Sequence, residues 1–187
     1  MSSYDKQYKT ENLFGKPYPE LIEFFGSHSK RGRLLDLGSG QGRDAIPIAR
    51  LGYNVTAMDK SKVGIKQMIL KSQKEGLKIQ GYVEDIYKYN DFNKYDYILL
   101  DSMFHFYKKD KNKETDLIKR IIHNSKIETV IVFCIQDTGK KVEILNKTII
   151  TTKKTKVLNE LAFKYKWIDK DSGHSSFINY KMIVIQI

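Results

Sequence analysis

Three glycines at alternate positions follow an acid in the stretch Asp36-Leu37-Gly38-Ser39-Gly40-Gln41-Gly42-Arg43. Glycine has no Cβ, so it takes positive φ without steric cost and lets a ligand come close to the backbone. A dinucleotide fingerprint would place its third glycine at position 43, where this chain has Arg43. Pyrophosphate at the following helix N-terminus is therefore disfavoured, and no GxxxxGK[ST] phosphate loop occurs. Further acids stand in Asp59-Lys60, Glu84-Asp85-Ile86 and Asp101-Ser102. Two histidines are placed to exchange a proton near neutral pH. One is His105, in Asp101-Ser102-Met103-Phe104-His105-Phe106; the other is His174, in Ser172-Gly173-His174-Ser175-Ser176. For His105 a base, a substrate contact and a loop anchor all stand open. His174 reads first as part of a solvated turn and second as a base. No metal is expected.

The glycines sit between a strand and a helix. Gly32 to Leu37 reads as the first strand and ends at Gly38, where turn residues replace the apolar run. Asp44 to Arg50 reads as helix from the spacing of Ala45, Ile46, Ile48 and Ala49, with Gly52 at the expected left-handed cap. Tyr53 to Met58 is a second strand closing on Asp59, followed by a helix from Lys62 to Lys74 that stops at Gly76. Lys78 to Val83 is a third strand closing on Glu84-Asp85, and Tyr95 to Leu100 a fourth closing on Asp101. A helix from Glu114 to His123 then precedes a fifth strand, Thr129 to Ile135.

Alternation of strand and helix predicts a parallel sheet with right-handed crossovers, whose ligands bind beyond the carboxyl ends of the strands. Asp36, Asp59, Asp85 and Asp101 all fall at such ends. In the tail, Lys153 to Phe163 reads as helix, Tyr165 to Asp169 as a short strand and Tyr180 to Ile187 as a final apolar strand. The linking Lys170 to Asn179 is too short for a helical crossover, so these last two strands should form an antiparallel hairpin.

The chain has 187 residues, enough for one domain with a real core. With 41% hydrophobic residues and three prolines, a disordered or fibrous class is excluded for its bulk. Lys and Arg number 33 against 22 Asp and Glu, a net charge of +11. Such a balance favours anionic partners, but the lysines spread from Lys6 to Lys181 and mark a chain-wide bias rather than a binding stripe. The dense runs Lys108 to Lys113 and Lys153 to Lys156 read as solvated turns or helix faces. The single Cys134 excludes an intramolecular disulfide and, within Val130 to Ile135, reads as core. Neither a leader pattern nor an apolar run of about eighteen residues is found, so a reducing cytoplasm is expected and a membrane partner is not.

The acid two residues before the first glycine, together with Asp59 and Asp85 at the next two strand ends, resembles class I S-adenosylmethionine-dependent methyltransferases. The resemblance covers roughly Leu34 to Ile135. Asp36 to Asp44 and Leu51 to Asp59 are most similar to the small tellurite-resistance-type and thiol- or metalloid-directed branch, and Phe14-Gly15-Lys16-Pro17 fits that group. Ser39 stands where many members carry Cys. The resemblance implies an α/β, Rossmann-like, doubly wound and mostly parallel seven-stranded sheet with an antiparallel C-terminal strand. It implies one domain over 1–187, with a helical or lid segment at 1–30 and the α/β core at 31–187. S-adenosylmethionine would be the cofactor and S-adenosylhomocysteine the product.

By that resemblance Gly38, Gly40 and Gly42 would pass beneath the methionyl and ribose parts, with Ser39, Gln41 and Arg43 beside them. Asp36 would sit near the amino group. Asp59, next to Lys60, would accept both ribose hydroxyls, as suits a carboxylate. Asp85, after Glu84, would take the adenine amino group, with Ile86 against the ring. For Asp59 and Asp85 the alternative is strand-end turn chemistry. Asp101 and Ser102 would complete the methionine pocket, and Phe104, Tyr4 and Tyr8 would meet the acceptor. The segment carrying Tyr4 and Tyr8 reads either as a lid or as a surface segment with aromatic anchors.

The favoured function is methyl transfer to a small-molecule acceptor, because little of the chain lies outside the catalytic core. Methylation of RNA or DNA comes second: Asp101-Ser102-Met103-Phe104 keeps the ends of a [DN]PP[YF] motif but lacks the Pro-Pro that shapes a pocket for a flipped base. A non-catalytic cofactor-binding module comes third, separated from the others by turnover. The acceptor atom and the oligomeric state are left open.

Overall fold

The computed structural model describes residues 3–8, 10, 12–153, 155–168 and 175–187. The chain divides into two compact units. The first runs to Tyr89 and takes in Tyr97–Leu99; the second comprises Asn90–Asp96 and Leu100–Ile187.

In the first unit two N-terminal helices, α1 (Ser3–Gln7) and α2 (Pro19–Ser27), precede β1 (Arg33–Leu37), α3 (Ala45–Arg50), β2 (Asn54–Asp59), α4 (Lys62–Lys74) and β3 (Ile79–Val83). Every β1 residue after Arg33 is buried, as in a parallel strand covered on both faces. β1 pairs in parallel with β2, Asp36 lying opposite Ala57, and β2 pairs in parallel with β3, Asp59 lying opposite Val83. The helix α4 starts where Ser61 caps it, the hydroxyl accepting the Gly64 N–H at 3.1 Å.

In the second unit β4 (Tyr97–Asp101), whose first three residues belong to the first unit, leads through a loop to α5 (Lys111–Asn124) and then to β5 (Val130–Gln136), α6 (Lys140–Thr152), β6 (Lys156–Ile168) and β7 (Ser175–Gln186). The Val130 N–H donates to the Asp96 carbonyl and the Ser102 N–H to the Cys134 carbonyl. Cys134 is buried in β5, as expected of a core residue. The strands form a seven-stranded sheet in the order β3-β2-β1-β4-β5-β7-β6. It is parallel through β3, β2, β1 and β4 and antiparallel at β7 and β6, the Rossmann-like arrangement expected.

The tail departs from expectation in more than one element: Lys140–Thr152 is a helix that was not expected, and the last strand begins at Ser175 rather than Tyr180, so Ser175 to Asn179 are strand and not linking loop. Of the expected helix Lys153 to Phe163, Lys156 to Phe163 belong instead to the long strand β6, and the helix, α6, lies before them. The predicted short strand at Tyr165 is the end of β6, which pairs with β7 from Lys156 opposite Gln186 to Ile168 opposite Ser175. Leu158-Asn159-Glu160-Leu161-Ala162 has helical composition, but the ladder with β7, which shifts register once between Val157 and Asn159, outweighs local preferences worth tenths of a kcal/mol per residue. The antiparallel pairing of the last two strands is as expected. Among the described residues no helix is long and apolar enough to cross a membrane.

Candidate functional site

In the first unit the end of β1 delivers Asp36 into the core, 3% exposed, immediately before the glycine loop. Its Oδ2 and the Ser39 hydroxyl are buried with no hydrogen-bond partner among the described residues. Burial drives the Asp36 carboxyl well above the usual carboxylate range; the charges of Asp44 and Asp59 add to this, and Arg43 opposes it. A buried carboxylate oxygen and, three residues on, a buried hydroxyl, both left unsatisfied, are costly unless a ligand completes them.

The loop is held in shape by β2. The amides of Gly38 and Ser39 donate to the Met58 carbonyl. Asp59, the last residue of β2, is engaged on both oxygens: Oδ2 accepts the Gly40 N–H at 3.0 Å and Oδ1 the Ser61 N–H at 2.6 Å. Burial raises its pKa, which these two amides pull back down. Asp59 thus braces the loop, and the strand-end turn chemistry left open for it is present. Asp85 shows turn chemistry too, its Oδ1 accepting the Tyr87 N–H at 3.1 Å, while its Oδ2 pairs with Lys60 Nζ at 3.0 Å. Lys60 and Asp85, both candidate cofactor residues, are therefore brought together. Glu84 is exposed and donates its N–H to the Asp59 carbonyl, and Ile86 is buried.

Two side chains of the loop face inward for other reasons. Arg43 bonds Asp44 through Nε and Nη2, at 3.2 and 3.1 Å, and lies over the Tyr18 ring at 4.8 Å. Gln41 anchors the N-terminal segment: its Oε1 accepts the Leu13 N–H at 2.9 Å and its Nε2 donates to the Thr10 carbonyl at 2.9 Å and to Gln67 Oε1 at 2.7 Å.

That segment lies on the loop. Tyr8 is 3% exposed, stacks on Tyr4 at 5.8 Å and meets Phe14 edge-on at 6.1 Å. Burial, with the Asp59 charge, pushes its phenol above the ordinary tyrosine range. A Cβ on Gly40, which sits at φ +51°, would run into the Tyr8 hydroxyl, and one on Gly64 would come within 2.8 Å of the Gly40 carbonyl oxygen. The absent side chains thus admit Tyr8 and α4 as much as any ligand. Asp5 fastens the segment to α4 by accepting from the Ser61 hydroxyl at 2.6 Å, and Gln67 donates to the Tyr8 carbonyl at 2.9 Å. Asp5 and Gln67 were missed by sequence reasoning: they are 56 and 59 positions from their partners. The Ser61 cap before an apolar-periodic helix was the one available signal.

In the second unit Asp101 ends β4, buried, with Oδ1 accepting from the Ser102 hydroxyl at 2.8 Å; Ser102 itself sits at φ +57°. Phe104 and Phe106 turn inward and stack on each other at 5.7 Å, Phe104 against Phe133. Phe104, expected against the acceptor, is 3% exposed and serves packing. His105 turns outward, exposed, and stacks on Tyr107 at 5.4 Å. Glu114, another residue that sequence reasoning missed, is buried on the first turn of α5. Its Oε1 and Oε2 accept the N–H groups of His105 and Phe106 at 3.3 and 2.6 Å. Partial loss of hydration and the Lys141 charge lower the His105 pKa, with Glu114 and Asp110 opposing. His174 lies outside the described residues. Among the described residues no group of three or more His, Cys, Asp or Glu is placed to hold a metal.

Comparison with known proteins gives this geometry a family. One relative is a probable S-adenosyl-L-methionine-dependent methyltransferase TehB from Haemophilus influenzae (strain ATCC 51907 / DSM 11121 / KW20 / Rd). It is 33% identical over 97 residues, which are 52% of this chain and 32% of the relative. A ubiquinone biosynthesis O-methyltransferase of Rickettsia prowazekii is 26% identical over 149 residues, 78% of this chain and 52% of that one. The crystal structure of TehB from Haemophilus influenzae superposes with a TM-score of 0.71 at 18% identity, covering 98% of this chain and 65% of that one. The chain thus spans from 32% to 65% of the length of these relatives. A family model for the tellurite resistance protein TehB matches residues 4–135. Since that match takes in the N-terminal segment, the glycine loop and β1 to β5, the chain belongs to the TehB tellurite-resistance family.

Proposed function

We propose that the chain is an S-adenosylmethionine-dependent methyltransferase acting on a small-molecule acceptor. The observation that carries this is the pair of buried, unsatisfied oxygens, Asp36 Oδ2 and Ser39 Oγ, at the head of the glycine loop. A carboxylate with no donor of its own fits a cationic amino group, and the hydroxyl three residues on fits the same zwitterionic end. The naming of relatives as methyltransferases points the same way.

When bound, S-adenosylmethionine supplies a methyl group already activated on a sulfonium. The chain's own work is then to bind, orient and exclude water. Asp36 holds the amino group; Asp59, pinned by Gly40 and Ser61, offers its carboxylate to the ribose hydroxyls; and Asp85, after releasing or sharing Lys60, takes the adenine amino group. The segment from α1 through Phe14 covers the loop as a lid, held by Asp5 and Gln41. His105, presented outward by Glu114, meets the acceptor, and removes its proton if the acceptor arrives protonated. The N-terminal tyrosines Tyr4 and Tyr8 form the aromatic wall above the donor.

Titration calorimetry with S-adenosylmethionine, S-adenosylhomocysteine and NAD is the direct test. Micromolar binding of the first two is expected, and methyl label should pass to thiol, halide or metalloid acceptors but not to bulk tRNA or duplex DNA. Binding of NAD alone would overturn the assignment, and label in either polymer would move the nucleic-acid reading ahead.

A further inference from the structure

We propose that β6 pairs edge to edge with β6 of a second copy of this chain, antiparallel and centred on Ala162, giving a two-fold dimer. The dimer does not depend on the methyltransferase reading. β6 (Lys156–Ile168) stands at one end of the sheet and, among the described residues, is paired on one side only, by β7. Its other side presents a row of main-chain N–H and C=O groups, a template for a further strand unless the edge is blocked. The strand has no proline, and its one register shift, between Val157 and Asn159, leaves residues 159–165 regular. Val157, Leu158 and Leu161 are exposed along it.

This edge is complementary to itself. In an antiparallel pair of identical strands, residues equidistant from the centre lie opposite each other and share a face. About Ala162, the middle residue of β6, Leu161 meets the partner's Phe163, Glu160 the partner's Lys164 and Asn159 the partner's Tyr165, each contact occurring twice. The pairing with β7 fixes the faces. Leu161 lies opposite Met182 and Phe163 opposite Tyr180, on which it stacks at 5.8 Å, whereas Glu160 pairs with Lys181 on the other face. Apolar side chains thus meet on one face and opposite charges on the other. Glu160 engages Lys181 through Oε1, and its Oε2 has no partner among the described residues; the exposed Lys164 makes no ion pair among them. A net charge of +11 opposes self-association, so the register must keep like charges apart. Centring on Glu160 or Lys164 would set that residue against its own copy, and centring on Leu161 would lose the ion pairs. Centring on Phe163 would set Glu160 against the partner's Lys166 instead of the partner's Lys164.

Sedimentation velocity over a concentration series, with hydrogen exchange on the same samples, tests the pairing. The parent should dimerise with a dissociation constant on the order of micromolar, and amides within residues 159–165 should exchange more slowly at high concentration than at low. Glu160→Lys and Lys164→Glu each set two pairs of like charges opposite each other and should weaken dimerisation roughly tenfold or more. An equimolar mixture of the two variants should recover the parental association, because every charged contact of the mixed dimer again joins opposite signs. Lys166→Glu should weaken dimerisation far less. Because Lys164 is exposed and outside any ion pair among the described residues, Lys164→Glu should keep the parental melting temperature, which separates a lost interface from a lost fold. A parent still monomeric at about a millimolar, single variants that associate as the parent does, or a mixture no tighter than either variant alone overturns the proposal.

Discussion

Asp36→Asn should make the ligand-free protein more stable and its cofactor binding weaker. The carboxyl is 3% exposed, its Oδ2 has no partner among the described residues, and burial with the charges of Asp44 and Asp59 raises its pKa well above the ordinary value. A folded-state pKa above the unfolded one means that the group's favourable contribution is fully present below the unfolded pKa. It is lost as pH rises toward the folded pKa, at about 1.4 kcal/mol per pH unit. An amide has no charge to desolvate, so at neutral pH the variant should gain roughly 1–3 kcal/mol, the linkage cost of a raised carboxyl pKa at about 1.4 kcal/mol for each unit. For a chain of this size that is about 2–4 °C in melting temperature per kcal/mol. The gain should shrink at about pH 5, which lies closer to the unfolded pKa, so that less of the penalty has accumulated. With the charged contact to the donor's amino group gone, S-adenosylhomocysteine should bind roughly 10- to 100-fold more weakly. Scanning calorimetry at the two pH values, with and without S-adenosylhomocysteine, measures both effects. A variant no more stable than the parent at neutral pH, or a gain that does not fall with pH, refutes the electrostatic argument. Unchanged affinity removes Asp36 from the cofactor site.

Asp59→Ala should weaken S-adenosylmethionine binding by about 1–3 kcal/mol and speed hydrogen exchange at the Gly40 and Ser61 amides that it now accepts; a folded variant with parental affinity would show that Asp59 is a brace alone. His105→Ala should lower turnover by about 10²–10⁴-fold if the imidazole is a base, with donor affinity unchanged. In the parent, activity should then fall on the acid side through a pKa below the usual histidine range, because lost hydration and Lys141 outweigh Glu114 and Asp110; parental turnover at every pH in the variant would remove His105 from the chemistry.

What the chain determined by itself was what depends on neighbours in sequence. Asp36 and the three glycines, the apolar runs of β1 to β5, the Lys62–Lys74 helix stopping at Gly76 and the acids at strand ends are patterns of period and turn, and they lie within a few residues of where they were read. Tertiary structure decided whatever depends on partners far along the chain. Lys156 to Ile168 became a strand because β7 pairs along its length with one register shift, against a composition that suits a helix equally well. The cover over the glycine loop exists because Asp5 finds Ser61 and Gln41 finds Thr10 and Leu13. Arg43 went to Asp44 and Tyr18, Phe104 went to the core, and Glu114 became the clamp on the His105 loop. Residue type and spacing state what a side chain is able to do. Which of its equally able partners it meets is settled only when burial makes leaving a charge or a hydrogen bond unmet too costly.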